Sequence, residues 1–240
     1  MKGTVRRLML AAVGGVVFST AGQAAAPEWT TEALGAQAPA LDKQVLHKAV
    51  RAMDCAVRHG MAPSERLAVI DFSLPSSERR LWIFDLVRQK LLLEDYVAHG
   101  QKSGENLATD FSNIMGSHQS SIGLFRTQES YFGRHGYSLR LDGLEPGVND
   151  LARDRAIVIH PADYVDPSWI ARQGRIGRSH GCPAVRPEIA QTVVDSLKGG
   201  QFMFTYYPDP AWLEDSAFLH CESTRVVAAL APYAQGEGEG

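Results

Sequence analysis

Between residues 66 and 207 the apolar residues of this 240-residue chain fall in short, strand-length blocks, and one helix-period segment interrupts them. Blocks of five to nine residues bounded by turn signals are too short to pack as helices, so they must pair laterally into sheet. Residues 66–73 (RLAVIDFS) and 80–87 (RLWIFDLV) are bounded by Pro75 and a Ser-Ser turn, and residues 90–98 return as a hairpin partner. Further blocks lie at 120–128, 137–141, 156–160 (AIVIH) and 201–207 (QFMFTYY), with a polar loop over 104–119. The interrupting segment opens with Pro187 at a first helical position and Glu188 in the first turn, and Gly199 stops it. Ile189, Val193 and Leu197 share a face with Ala190 and Val194, so this helix should lie on the sheet. A second helix is expected over 41–59, where Leu41, Val45, Ala49, Met53 and Ala56 recur at helical spacing before Gly60. The expected fold class is mainly β with flanking helices (α+β), of β-sandwich type.

The rest of the chain frames one domain, expected over 41–215. Lys2, Arg6 and Arg7 precede an uncharged apolar run over 8–18 and the small residues of Gly22 to Ala26. This is the pattern of a signal peptide over 1–24, cleaved after Ala24. The run is short and broken by Gly14-Gly15, so it does not read as a membrane span. Residues 25–40, rich in Ala, Pro and Thr, read as a flexible lead-in, and 216–240 as a C-terminal extension ending in a disordered tail (GEGEG). The expected location is periplasmic, with no membrane anchor after cleavage. A balance of 24 Lys+Arg against 27 Asp+Glu gives a formal charge of −3, which argues against nucleic acid as a partner. Three cysteines make no disulfide scaffold and lack paired CxxC spacing. In an oxidising compartment Cys55 and Cys221 either form a disulfide or remain two inert buried thiols, and Cys182 is left over.

Cys182 lies in the run Ser179-His180-Gly181-Cys182, just ahead of the 187–198 helix, with His160 at a strand end upstream. A nucleophilic cysteine needs a base to take its proton, because a free thiol near pKa 8.5 is mostly protonated at neutral pH. It also needs N–H groups aimed at the developing oxyanion, and Gly181 permits the tight turn in which they converge. A zinc site from His160, His180 and Cys182 is the metal alternative, but its spacing matches no common pattern.

An upstream His followed by Ser-His-Gly-Cys resembles the catalytic signature of the L,D-transpeptidases, the YkuD-like peptidoglycan cross-linking enzymes. The resemblance, to the murein L,D-transpeptidase catalytic-domain subgroup, extends over about residues 65–210. It includes Phe111-Ser112-Asn113, Ser120-Ser121-Ile122-Gly123, His135-Gly136-Tyr137-Ser138-Leu139, Gly143-Leu144-Glu145-Pro146-Gly147 and Arg155-Ala156-Ile157-Val158-Ile159-His160. Ala162-Asp163-Tyr164-Val165 and Gly174-Arg175-Ile176-Gly177-Arg178 belong to it as well. Two departures from the broader signature are Pro183-Ala184 after the cysteine and a longer spacing from His160 to Ser179.

The resemblance implies that Cys182 attacks a carbonyl of a donor stem peptide while His160 takes the thiol proton and later protonates the leaving D-amino acid. An acceptor stem peptide then resolves the thioacyl-enzyme. It implies a backbone carbonyl as the group orienting His160, the N–H groups of Gly181 and Cys182 as oxyanion donors, and neither metal nor cofactor. Ser179 either braces the loop or is a turn residue; His180 contacts substrate or packs. Arg175 and Arg178 are candidates to pair with stem-peptide carboxylates, and His135 and Tyr137 to line the cleft. The rival readings are an L,D-carboxypeptidase or amidase using the same cysteine and histidine, and a non-catalytic wall-binding protein.

Overall fold

The computed structural model describes residues 28–233, so the signal peptide expected over 1–24 and the tail over 236–240 lie outside the described residues. Two helices come first: α1 (Glu28–Gln37) and α2 (Lys43–Arg58). The Asp42 carboxylate caps α2 by accepting from the Gln44 and Val45 N–H groups, and Gly60 (φ 106°) follows its last turn. The flexible lead-in expected over 25–40 is corrected by α1, which buries Leu34 and, just beyond it, Ala38 against α2.

Eight strands follow: β1 (Arg66–Asp71), β2 (Leu81–Asp85), β3 (Lys90–Asp95), β4 (Gly123–Gly133), β5 (Gly136–Gly143), β6 (Val158–Pro161), β7 (Ala184–Val185) and β8 (Phe202–Tyr206). They form one hydrogen-bonded series in the order β3-β2-β1-β8-β4-β5-β6-β7, in which β1–β8 and β6–β7 are parallel and the other pairs antiparallel. The architecture is mainly β with flanking helices, as expected, with the layers built on the two faces of this one series. Period-two alternation sorts the central strands. Leu67, Val69, Trp82, Phe84, Phe202 and Phe204 enter the core shared with α2. Ala68, Ile70, Leu81, Ile83 and Met203 enter the opposite core, shared with α4 (Pro187–Leu197). Both faces are covered, so these strands read as continuous apolar runs rather than alternating ones.

Three further helices, α5 (Pro210–Asp215), α6 (Ala217–His220) and α7 (Ser223–Leu230), place Trp212, Phe218, Leu219, Val226 and Leu230 in the α2-side core. The extension expected from residue 216 onward is therefore part of the domain as far as Tyr233. The buried Glu145 carboxylate ties these helices to the sheet, accepting from the Leu124 N–H at 2.8 Å, Trp212 Nε1–H at 3.0 Å and Ser216 Oγ–H at 2.7 Å. Cys55 of α2 and Cys221 after α6 form a disulfide across 166 residues, which decides between the two readings of these cysteines. The remaining helix, α3 (Pro167–Gln173), has no counterpart among the expected elements; Asp166 caps it ahead of Pro167.

Candidate active site

The pairing of β6 with β7 sets the site. His160 is in register with Ala184, and Cys182 lies in the loop two residues before Ala184. Both side chains open into one cavity of about 580 Å³. Two serines fix the loop ahead of β7. Ser179 Oγ–H donates to the Cys182 carbonyl at 2.6 Å and accepts the Gly181 N–H at 3.1 Å, so Ser179 braces the loop. Ser120 Oγ–H donates to the Gly181 carbonyl at 3.0 Å and accepts the Gly100 N–H. Gly181 adopts φ 118°, a conformation that L side chains rarely take, and a Cβ there would stand 2.8 Å from the Gln119 carbonyl. One oxyanion assignment is corrected: the Gly181 N–H is taken by Ser179. The Cys182 N–H has no hydrogen-bond partner among the described residues.

His160 is buried, and its Nδ1 lies 2.8 Å from the Pro161 carbonyl. A carbonyl can only accept, so Nδ1 carries the proton and Nε2 presents its lone pair. Burial pushes the His160 pKa below its ordinary value, and the neighbouring His135 adds to that. Burial pushes the Cys182 thiol up, opposed by the Val158 N–H and the Arg155 charge. The resting pair is thus neutral thiol and neutral imidazole. The Cys182 S–H points at the Ala156 carbonyl, 3.6 Å away, and no hydrogen bond joins Sγ to the His160 ring among the described residues. Ala156 and His118, both at this cavity, adopt φ 54° and 57°, so backbone strain collects here.

Around this pair the expected residues divide. His180 lines the cavity with its ring stacked on His118 at 4.3 Å, and His135 lines it with its ring 4.7 Å from that of His160. The alternative zinc set is not gathered: the ligand-type triple among the described residues is Cys55, His59 and Cys221, and two of those are in the disulfide. Tyr137 is placed elsewhere; its hydroxyl donates to Asp195 Oδ1 at 2.9 Å and its ring stacks on Phe132. Arg175 and Arg178, expected to meet substrate, both pair with Glu105, at 2.9 and 2.8 Å.

Sequence reasoning did not single out Arg155, Tyr164, Arg134 or His118 as site residues, although all four line the cavity. Arg155 holds the 112–121 loop through the Ser112 and Gln119 carbonyls and the Ser117 and Ser121 hydroxyls. Burial pushes the Tyr164 phenol up, so it stays a neutral hydrogen-bond donor. Deeper still, Arg80 is fully buried. Its Nη2–H donates to His99 Nδ1 at 2.7 Å, its Nη1–H to the Leu74 carbonyl, and its Nε–H and Nη2–H to the Val97 carbonyl. The His99 carbonyl accepts the Ser179 N–H at 2.9 Å, and the Gln101 N–H donates back to the Ser179 carbonyl. The nucleophile loop is therefore hung on a strap anchored by the buried arginine.

The L,D-transpeptidase catalytic domain profile (YkuD_2) matches residues 37–206. The chain belongs to this family. Solved structures similar to this L,D-transpeptidase-family chain include an L,D-transpeptidase from Mycobacterium smegmatis (14% identity, 60% of each chain covered, TM-score 0.38). Another is the L,D-transpeptidase from Stackebrandtia nassauensis (12% identity, 77% of this chain and 94% of that one, TM-score 0.37). A third is a fused Zn-dependent amidase/peptidase/peptidoglycan-binding domain-containing protein from Clostridium acetobutylicum (18% identity, 69% and 62% covered, TM-score 0.36). The chain thus spans 60% of the length of the M. smegmatis structure it matches. No curated protein matches it. Among the described residues no helix is long and apolar enough to cross a membrane.

Proposed function

We propose that the protein is an exported, periplasmic L,D-transpeptidase that joins peptidoglycan stem peptides through a thioacyl-enzyme on Cys182. The observation that carries this reading is the tautomer of His160. Its Nδ1–H is held by the Pro161 carbonyl, which leaves Nε2 free as a base in the cavity that Cys182 enters. The thiol leaves the Ala156 carbonyl for His160 Nε2. Nε2 then accepts the thiol proton as Sγ bonds to the donor carbonyl carbon after the L-centre of the third residue. The oxyanion that forms meets the Cys182 N–H. As the C–N bond breaks, His160 returns the proton to the leaving D-amino acid nitrogen and a thioester remains. The amine of a second stem peptide attacks the thioester and gives its proton to His160; the C–S bond then breaks to release the cross-linked product, and His160 returns that proton to Sγ. The positive charge on His160 is transient, and the Pro161 carbonyl stabilises it.

The test is mass spectrometry of muropeptides after incubation with the wild type and with Cys182→Ala. New dimers from the wild type alone support transfer. Shortened monomers replace it with the carboxypeptidase reading, and unchanged material, together with no carbapenem adduct on Cys182, removes both.

A further inference from the structure

Three arginines (Arg134, Arg155, Arg178) and four histidines line the cavity, and among the described residues no carboxylate does. Two of the arginines are spoken for. Arg155 holds the Ser112 and Gln119 carbonyls and two serine hydroxyls. Arg178 Nη1–H groups meet the Gln101 and Gly104 carbonyls and the Glu105 carboxylate. Arg134 differs. Its Nε–H donates to His135 Nε2 at 3.0 Å, and neither terminal amino group has a hydrogen bond or ion pair among the described residues.

The position of this guanidinium is fixed by the fold. Arg134 and His135 form the two-residue turn between β4 and β5, closed by the pair Gly133 and Gly136. Gly136 adopts φ 86°, and a Cβ there would stand 3.3 Å from Pro161 Cγ. The hairpin tip therefore rests beside the residue whose carbonyl holds His160. Because His135 Nε2 accepts from Arg134, its ring is held between the guanidinium and His160, 4.7 Å from the latter.

From this we infer that Arg134, braced by His135, is the carboxylate-binding subsite of the donor peptide, a role that rests on the peptide-acylation reading above. A guanidinium with its Nε–H already committed still offers two parallel N–H groups, the fork that a carboxylate matches. A cavity with one unpaired guanidinium and, among the described residues, no carboxylate in its lining favours an anionic peptide over its neutral analogue. The carboxylate is either the C-terminal one of the leaving residue or a side-chain one near the scissile carbonyl, and amidating each in turn separates the two.

The experiment titrates the full-length Cys182→Ala protein, by calorimetry, with three peptides: the free stem tetrapeptide, its C-terminal amide, and the tetrapeptide with its side-chain carboxylates amidated. One amide should bind on the order of tenfold more weakly than the acid. Adding Arg134→Gln should weaken the acid to the level of that amide, and Arg134→Lys should recover part of the loss. Arg134 is exposed on a turn, and an unchanged melting temperature of both variants separates this from misfolding. The inference is overturned if both amides bind as well as the acid, if Arg134→Gln keeps the discrimination, or if none of the peptides binds. Acylation by the wild type is scored separately. Selective binding without an adduct on Cys182 keeps the subsite and removes the catalytic reading, whereas adducts formed equally from acid and amides do the reverse.

Discussion

Replacing Gly100 by alanine should slow Cys182 chemistry although Gly100 itself is not among the residues that line the cavity. Gly100 is buried on the strap that runs beside the nucleophile loop, and its φ lies outside the positive range, so the added methyl group acts by contact alone. A Cβ at this position would stand 2.4 Å from the His118 carbonyl oxygen, 2.9 Å from Gly181 Cα and 3.0 Å from Gly181 N. Ordinary contact begins near 3.4 Å, so His118 must retreat by about 1 Å and Gly181 by about half that. All three neighbours are backbone atoms, which cannot move aside by changing rotamer. Overpacking of this kind costs about 1–3 kcal/mol of stability. A displacement of half an ångström to one ångström at a nucleophile reduces the rate on the order of 10- to 100-fold. The assay is the second-order rate of carbapenem acylation of Cys182 by intact mass, measured well below the melting temperature of each variant. Gly35→Ala is the control: the residue lies in α1, a Cβ there meets only Leu46 Cδ2 at 3.6 Å, and stability should rise by about 0.5–1 kcal/mol with the rate unchanged. A Gly100→Ala protein that acylates within about twofold of the wild type would refute the close-approach argument.

Four more outcomes rest on the same geometry. Because burial holds the His160 pKa down, the acid limb of the acylation rate should have its midpoint below the ordinary histidine value of about 6.5, read from a pH–rate profile. His160 and His99 (the latter pushed down to about 3 by burial and by Arg80) resist protonation when folded. The unfolded chain takes up protons as pH falls through about 6.5 and the native state does not, so stability present above that pH should decline on acidification toward about 3, followed by urea midpoints. Cys55→Ser should cost about 2–5 kcal/mol, up to the roughly 5 kcal/mol that chain entropy assigns to so long a loop, while leaving the Cys182 thiol reactive to iodoacetamide. Arg80→Met should cost about 3–5 kcal/mol in chemical denaturation, because the Leu74 and Val97 carbonyls and His99 Nδ1 lose their donors together; Arg80→Lys should restore little of it, since one ammonium cannot reach all three.

The strands were legible because their burial is one-dimensional. A block such as RLWIFDLV states its own length, and its need to pair laterally is the same whichever strand lies alongside; β2 spans Leu81–Asp85 within it. Helix α4 was legible for the same reason, with Pro187, Glu188 and Gly199 marking its ends. The misjudged segments depend instead on a partner far away in the chain. Residues 28–40 are poor in large apolar side chains, yet Leu34 is buried because α2 offers it a surface. The helices beyond Pro210 hold four to eight residues each, too short to show a period, and they are held to the sheet by the Glu145 carboxylate and to α2 by the disulfide. Order in the sheet was equally hidden. Nothing local in QFMFTYY says that β8 inserts between β1 and β4, which is what brings the two halves of the chain into one fold.

The site divides along the same line. Cys182 and His160 line one cavity, and that they are worth placing together could be read from the chain, because a tight Gly-Cys turn and a histidine at a strand end are local statements. Which arginine is available to a ligand is not. Arg134, Arg155, Arg175 and Arg178 look alike in sequence, and the two set in the Gly-Arg-Ile-Gly-Arg run were the natural choice for substrate contact. What sorts them is Glu105, some 70 residues upstream, which reaches Arg175 and Arg178 at once. Four loop acceptors sort out Arg155 in the same way. The arginine left over lies on a hairpin tip that nothing marks as catalytic, and only the His135 ring separates it from His160, because Gly136 lets the turn close against Pro161. A charge becomes a binding group when the fold withholds its other partners, and that is a property of the tertiary arrangement, which no local motif records.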